Sequence, residues 1–241
     1  MKKTIILFEG RTGSTHLATL LHQSPHISFL GEEPALLKPE GWKAQENWIS
    51  QLFENPLEFN DVRIKSSAKV VGFRIKLRDV AEPQQFKKIL EQYDVSVIYM
   101  RRLNLVKQAV SSIRAIDLSK TKGYYNLDHH KHKEGLAAYS IPFQRFDQTL
   151  KWIEEVDLKL QDFIKTLNQP ICEVCYEELL ADRDAVLNKV IQFLDVPPFT
   201  PIEVVAKHTS DDLSEVISNF DALISQYKNT PYAEMFTEGI S

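Results

Sequence analysis

Residues 6–21, ILFEGRTGSTHLATLL, set Gly10, Arg11, Thr12, Gly13, Ser14 and Thr15 between an apolar run and an amphipathic stretch. Glycines let a backbone wrap an anion, and the start of a following helix turns its unpaired N–H groups toward that anion. Ser14 and Thr15 add hydroxyl donors, and Arg11 adds a fixed positive charge. A nucleoside-triphosphate loop reads GxxxxGK[ST], with lysine on the phosphates and a hydroxyl on Mg²⁺. Here the loop is shorter, and an early arginine stands in place of the lysine.

A second candidate lies at the end of the run VSVIYM, residues 95–100, which continues into Arg101 and Arg102. In a Mg²⁺-dependent nucleotide hydrolase a strand of this kind typically ends in a metal-holding aspartate. Two arginines would instead repel a metal and attract a second anion. Asn104 then starts a helix that carries Ser111 about two turns along. Two anion clamps without a metal-binding acid ask for a nucleotide phosphorylated at two positions.

Both clamps need strand ends to hold them. Apolar periodicity predicts strands over 4–8, 27–30, 70–75, 95–100 and 171–176. It predicts helices over 14–22, 42–53, 83–92, 104–116 and 185–194, a long helix through 143–167 and a last one over 211–227. Pro25, Asn55-Pro56 and the VPP at 196–198 punctuate them. Strands alternating with helices imply a single α/β domain over 1–241, with a central, mostly parallel sheet, flanking helices and a P-loop-like nucleotide-binding core. Ligands of such sheets bind at the carboxyl ends of the strands, where both clamps fall.

At 241 residues and 43% hydrophobic the chain can bury one large core. A net charge of −4 argues against a dedicated nucleic-acid binder, so any anion site is a local concentration of cations. The start MKKTIILFEG mimics a signal sequence, but Glu9 ends its apolar run too early. No stretch reaches the ~20 apolar residues of a membrane span, and a cytoplasmic location is expected. Cys172 and Cys175 are spaced as a redox or zinc half-site, yet on a strand they point to opposite faces and no second pair completes a zinc site.

The motifs have a family likeness. GRTGSTHLATLLHQSPHI resembles the 5′-phosphosulfate loop of sulfotransferases that use 3′-phosphoadenosine 5′-phosphosulfate (PAPS), in the RTGS form of bacterial and carbohydrate enzymes. VIYMRRLNLVKQAVSS resembles the family's 3′-phosphate motif, an arginine after a strand and a serine on the following helix. CYEELLADRDAVLNKVIQFLDVPP resembles a structural segment that recurs in the family. The resemblance implies a PAPS-dependent enzyme that sulfates a hydroxyl, or less readily an amine, of a small-molecule, carbohydrate or lipid acceptor without a metal. Gly10, Arg11, Thr12, Gly13, Ser14 and Thr15 would hold the 5′ end. Arg101 or Arg102, with Ser111, would hold the 3′-phosphate. Ser111 stands nine residues after Arg102, one more than the commonest spacing, which favours Arg102 over Arg101.

A sulfuryl acceptor must lose a proton as it attacks, so a base is expected near the loop. In SFLGEEPALL, Glu32 and Glu33 resemble the family's acceptor-side glutamate, and Glu33 is preferred because it precedes Pro34. His16, beside the loop, is a second candidate. GFRIKLRD sets Arg74, Lys76 and Arg78 on one face of a strand, to line the site or to meet solvent. DHHKHKEG, with His129, His130 and His132, reads as a polar loop placed to cover an acceptor. Competing expectations are a P-loop nucleotide kinase or NTPase, and a non-catalytic nucleotide-binding protein.

Overall fold

Residues 2–8 carry Ile5, Ile6, Leu7 and Phe8 in a row, as a strand covered on both faces must. In the computed structural model, which describes residues 1–59, 61–122, 137–202 and 212–237, this strand is the centre of the sheet. The elements in chain order are β1 (Lys2–Phe8), α1 (Ser14–His22), β2 (Ile27–Phe29), α2 (Glu33–Leu36), α3 (Trp42–Glu54), β3 (Val70–Lys76), α4 (Pro83–Gln92), β4 (Ser96–Arg101) and α5 (Leu105–Lys122). They continue as α6 (Phe143–Lys165), β5 (Ile171–Cys175), α7 (Tyr176–Ala181), α8 (Arg183–Leu194), α9 (Leu213–Val216), α10 (Phe220–Tyr227) and α11 (Ala233–Thr237).

All five strands run parallel in the order β2-β3-β1-β4-β5. The chain first moves outward from β1 to β2 and β3, then returns past β1 to β4 and β5. The direction therefore reverses between β1 and β4, the place where open α/β sheets bind ligands at their carboxyl edge. The fold is the α/β architecture expected, a parallel sheet flanked by helices.

Contacts divide the chain into two compact units, Met1–Arg101 with Lys159–Glu203, and Arg102–Leu158 with Val204–Ser241. The first unit holds the sheet. Ile6, Phe8, Ile98 and Met100 face α1 and α8, meeting Leu17, Leu21, Val190 and Ile191. Ile5, Leu7, Phe73, Val97 and Tyr99 alternate onto the other face, against Leu52 and Phe53 of α3, Phe86 and Leu90 of α4, and Leu160 and Phe163 at the end of α6. Each large apolar side chain fully covered here contributes roughly 1.5–3 kcal/mol.

The second unit is helical. Val106, Val110 and Ile113 of α5 pack with Phe146, Leu150 and Ile153 of α6 and with Leu223, Tyr227 and Phe236. Two expectations change here. The helix expected over 211–227 is broken, because Ile217 turns to extended backbone and bridges Tyr139. Asn219 then exchanges hydrogen bonds with both the N–H and the carbonyl of Ile141, at 2.9 Å each. The helix expected over 104–116 runs further, since α5 continues to Lys122 and Asp117 takes Arg145 in a two-pronged ion pair. His129, His130 and His132 lie outside the described residues. No helix among the described residues is long and apolar enough to cross a membrane.

Candidate functional site

The loop after β1 turns on two left-handed residues, Arg11 (φ 67°) and Gly13 (φ 83°). The Thr12 hydroxyl donates to the Glu9 carbonyl at 2.8 Å and closes the turn from within. Gly13 occupies the N-cap position of α1, where no side chain caps the helix and no acid stands in the first turn. The N-terminal dipole of α1 thus has no capping side chain and no acid in its own first turn, which suits an anion. Ser14 is buried, while Arg11, Thr15 and His16 are half-buried.

Gly13 is also a packing position. A Cβ there would stand 2.5 Å from Cδ2 and 2.8 Å from Cε2 of Tyr176, and 3.1 Å from Cε of Met100. Tyr176 begins α7 rather than ending β5, and its ring floors the loop; the YEELL segment thereby acquires a physical reason. Gly13→Ala should lose about 1–3 kcal/mol of stability from backbone strain and added crowding. In a Tyr176→Ala background most of the crowding is removed and the strain remains, because the two shortest approaches are to the Tyr176 ring. Chemical denaturation should show Gly13→Ala costing less in the Tyr176→Ala background than in wild type; an equal cost in both would refute the packing role.

Three cations from β3 and the turn after it converge on the loop's side of the sheet. Register pairs Ile6 with Arg74 and Phe8 with Lys76. Arg74 Nη1 donates to Thr15 Oγ1 at 2.8 Å, reaches Ser14 Oγ at 3.4 Å and lies 3.6 Å from Glu32. Burial lowers its pKa, against the pull of Glu32 and Glu33. Lys76 pairs with Glu32 and, at 3.3 Å, with Asp79. The strand ends at Lys76, so Arg78 sits in a 3-10 turn, where it pairs with Glu9. Glu9 is 2% exposed, and burial pushes its carboxyl up to about 7 despite Arg78 and Lys76. These cations are ion-paired and largely covered, not a solvated face.

Glu33 opens α2, and its Oε1 accepts from Arg63 Nη1 at 2.7 Å. Arg63 is gripped in turn by Asp61, with Nε on Oδ1 at 2.8 Å and Nη2 on Oδ2. Those hydrogen bonds hold the Asp61 carboxyl below its usual range. Glu33 Oε2 is buried and has no hydrogen-bond partner among the described residues. Sequence reasoning missed Asp61, Arg63 and Glu9; a carboxylate two positions before an arginine was the available signal for the first pair. His22, by contrast, is committed to structure. Its Nδ1 accepts the Phe29 N–H at 3.2 Å, and burial, Lys65 and Arg63 lower its pKa.

At the end of β4, Arg101 Nη1 meets Glu173 of neighbouring β5 at 3.2 Å. Cys172 and Cys175 are buried thiols of that same strand. In the second unit, Arg102 and Ser111 are 8% and 6% exposed. Asn104 caps α5 as expected, its Oδ1 accepting the Lys107 N–H at 2.8 Å, and its Nδ2 donates to the Met235 carbonyl. Gln108, Ser111 and Arg114 recur every third residue and form a buried polar line along α5.

No protein-family model matches the chain, and no curated protein matches it in sequence. Solved structures do match. A sulfotransferase from Alicyclobacillus acidocaldarius aligns with a TM-score of 0.55 at 15% identity, covering 98% of this chain and 94% of its own. Mouse sulfotransferase SULT7A1, complexed with PAP, aligns with a TM-score of 0.50 at 12% identity, covering 99% and 89%. The fold is therefore one that sulfotransferases use. At these identities the likeness speaks for architecture.

Proposed function

We propose that residues 1–241 act as one cytoplasmic sulfotransferase domain that moves a sulfuryl group from PAPS to an acceptor hydroxyl and leaves adenosine 3′,5′-bisphosphate. The acceptor class is a small molecule, carbohydrate or lipid, with an amine as the less favoured nucleophile. The observation that carries this reading is the glycine–arginine loop seated on an uncapped α1 within a fold that sulfotransferases share.

Gly10, Arg11, Thr12, Gly13, Ser14 and Thr15 would grip the 5′-phosphosulfate. Arg102 with Ser111, both buried, would grip the 3′-phosphate, as the motif spacing favours. The acceptor oxygen attacks sulfur in line as the bond to the 5′-phosphate oxygen breaks. Negative charge grows on that leaving oxygen, where Arg11 and the loop N–H groups stand preorganised. Glu33 is the favoured base. Arg63 and Asp61 fix one carboxylate oxygen, and the other lacks a donor that the acceptor hydroxyl would supply. Glu32, paired with Lys76 and Arg74, is better placed to hold those cations than to accept a proton. His16 remains the alternative base.

Adenosine 3′,5′-bisphosphate should raise the melting temperature. At about 100 times its dissociation constant it adds roughly 2.7 kcal/mol by mass action. Stabilisation by ATP with Mg²⁺ alone would replace this reading by a P-loop kinase or NTPase.

A further inference from the structure

Among the described residues, Glu9 is the one buried carboxylate beside the loop that the proposed reaction does not use. It is the last residue before Gly10, almost fully covered, and it holds Arg78 Nη1. The other terminal nitrogen of the same guanidinium, Nη2, lies 3.4 Å from where a Cβ on Gly10 would stand. Arg78 is about one third exposed, so the guanidinium reaches from a covered anchor to an open loop. Its backbone is tied as well, since Lys38 Nζ donates to the Arg78 carbonyl. Isolated buried ion pairs add little stability. This one joins the ends of two adjacent strands and brings Nη2 beside the first glycine of the anion loop.

We propose that Arg78 is a second fixed cation of the loop, contacting the terminal sulfuryl oxygens of the donor, with Glu9 as its positioning residue. The inference rests on the sulfotransferase reading and adds to it a means of telling PAPS from its desulfated product. A guanidinium suits this role, because Nη2 can donate to an anionic oxygen while Nη1 stays on its carboxylate anchor. Glu9 faces Arg78, Lys76, Asp79 and the Gly10 N–H. Its carboxyl titrates near 7, so the anchor is fully charged only above that pH. Discrimination in favour of PAPS should therefore strengthen from pH 6 to pH 8.

Calorimetric dissociation constants for PAPS and for adenosine 3′,5′-bisphosphate, without acceptor, test this. Arg78→Ala should weaken PAPS about tenfold or more and the bisphosphate less than about twofold, the loss of one charge-assisted contact. Should Arg78→Ala fail to fold, Arg78→Gln, of similar length, carries the same expectation. Glu9→Gln should lower the PAPS preference about threefold at pH 8, as a displaced rather than deleted contact, and should flatten its rise with pH relative to wild type. Equal weakening of both ligands by the Arg78 variants, or an unchanged PAPS preference, overturns the role of Arg78 and leaves the sulfotransferase reading standing. An unaltered pH profile in Glu9→Gln overturns the role of Glu9. A wild-type chain that binds neither nucleotide overturns both inference and parent reading.

Discussion

Arg11→Ala is expected to lower PAPS turnover by on the order of 10²-fold or more, the usual loss when one preorganised donor is removed from a developing anion. The loss should fall on kcat more than on KM, because charge on the leaving oxygen grows as the transition state is approached. Stability is a separate matter. Arg11 sits at φ 67°, where any residue with a Cβ is strained, so alanine inherits the strain that arginine already carries. Arg11→Gly suits that backbone better and should melt no lower than wild type while losing as much turnover. Near-normal turnover in either variant would remove Arg11 from the reaction.

The second large effect is expected at Glu33. Glu33→Gln keeps the shape of the side chain but cannot take a proton, and general-base contributions are typically 10²- to 10⁴-fold. A loss of about 10²-fold is expected. Arg63 can still donate to the amide oxygen, so the local structure should survive. Glu32→Gln is the informative companion. Its carboxylate lies between Lys76 and Arg74, so that variant should raise KM more than it lowers kcat. Full activity in Glu33→Gln with collapse in Glu32→Gln would exchange the two roles.

Much of the fold was legible because its signals were local. The apolar runs that became β1 and β4 are short and uninterrupted, those of β3 and β5 stay apolar around Arg74 and Glu173, and Pro83 and Asn104 mark helix starts by their own chemistry. What was hidden depends on partners remote in the chain. Nothing in the stretch 211–227 shows that Asn219 will clamp Ile141 and interrupt a helix. The loop residues of the site were readable from their types. Their supports were not: Arg78 on Glu9, and Asp61 and Arg63 behind Glu33, come together only when β1, β2 and β3 align. A face of alternating cations looked as ready for solvent as for a site until the burial of Arg74 and Lys76 removed the solvated reading.

The ring of Tyr176 beneath Gly13 bears on how the protein is made. The anion loop leaves the ribosome before its floor, which arrives with β5 and α7, long after. Both sheet neighbours of β1 are likewise translated later than β1 itself. A nascent chain stopped before Tyr176 would hold the complete loop sequence without the surface that shapes it. The shaped loop is thus a late acquisition of the growing chain, and a truncated product would expose the loop sequence without its floor.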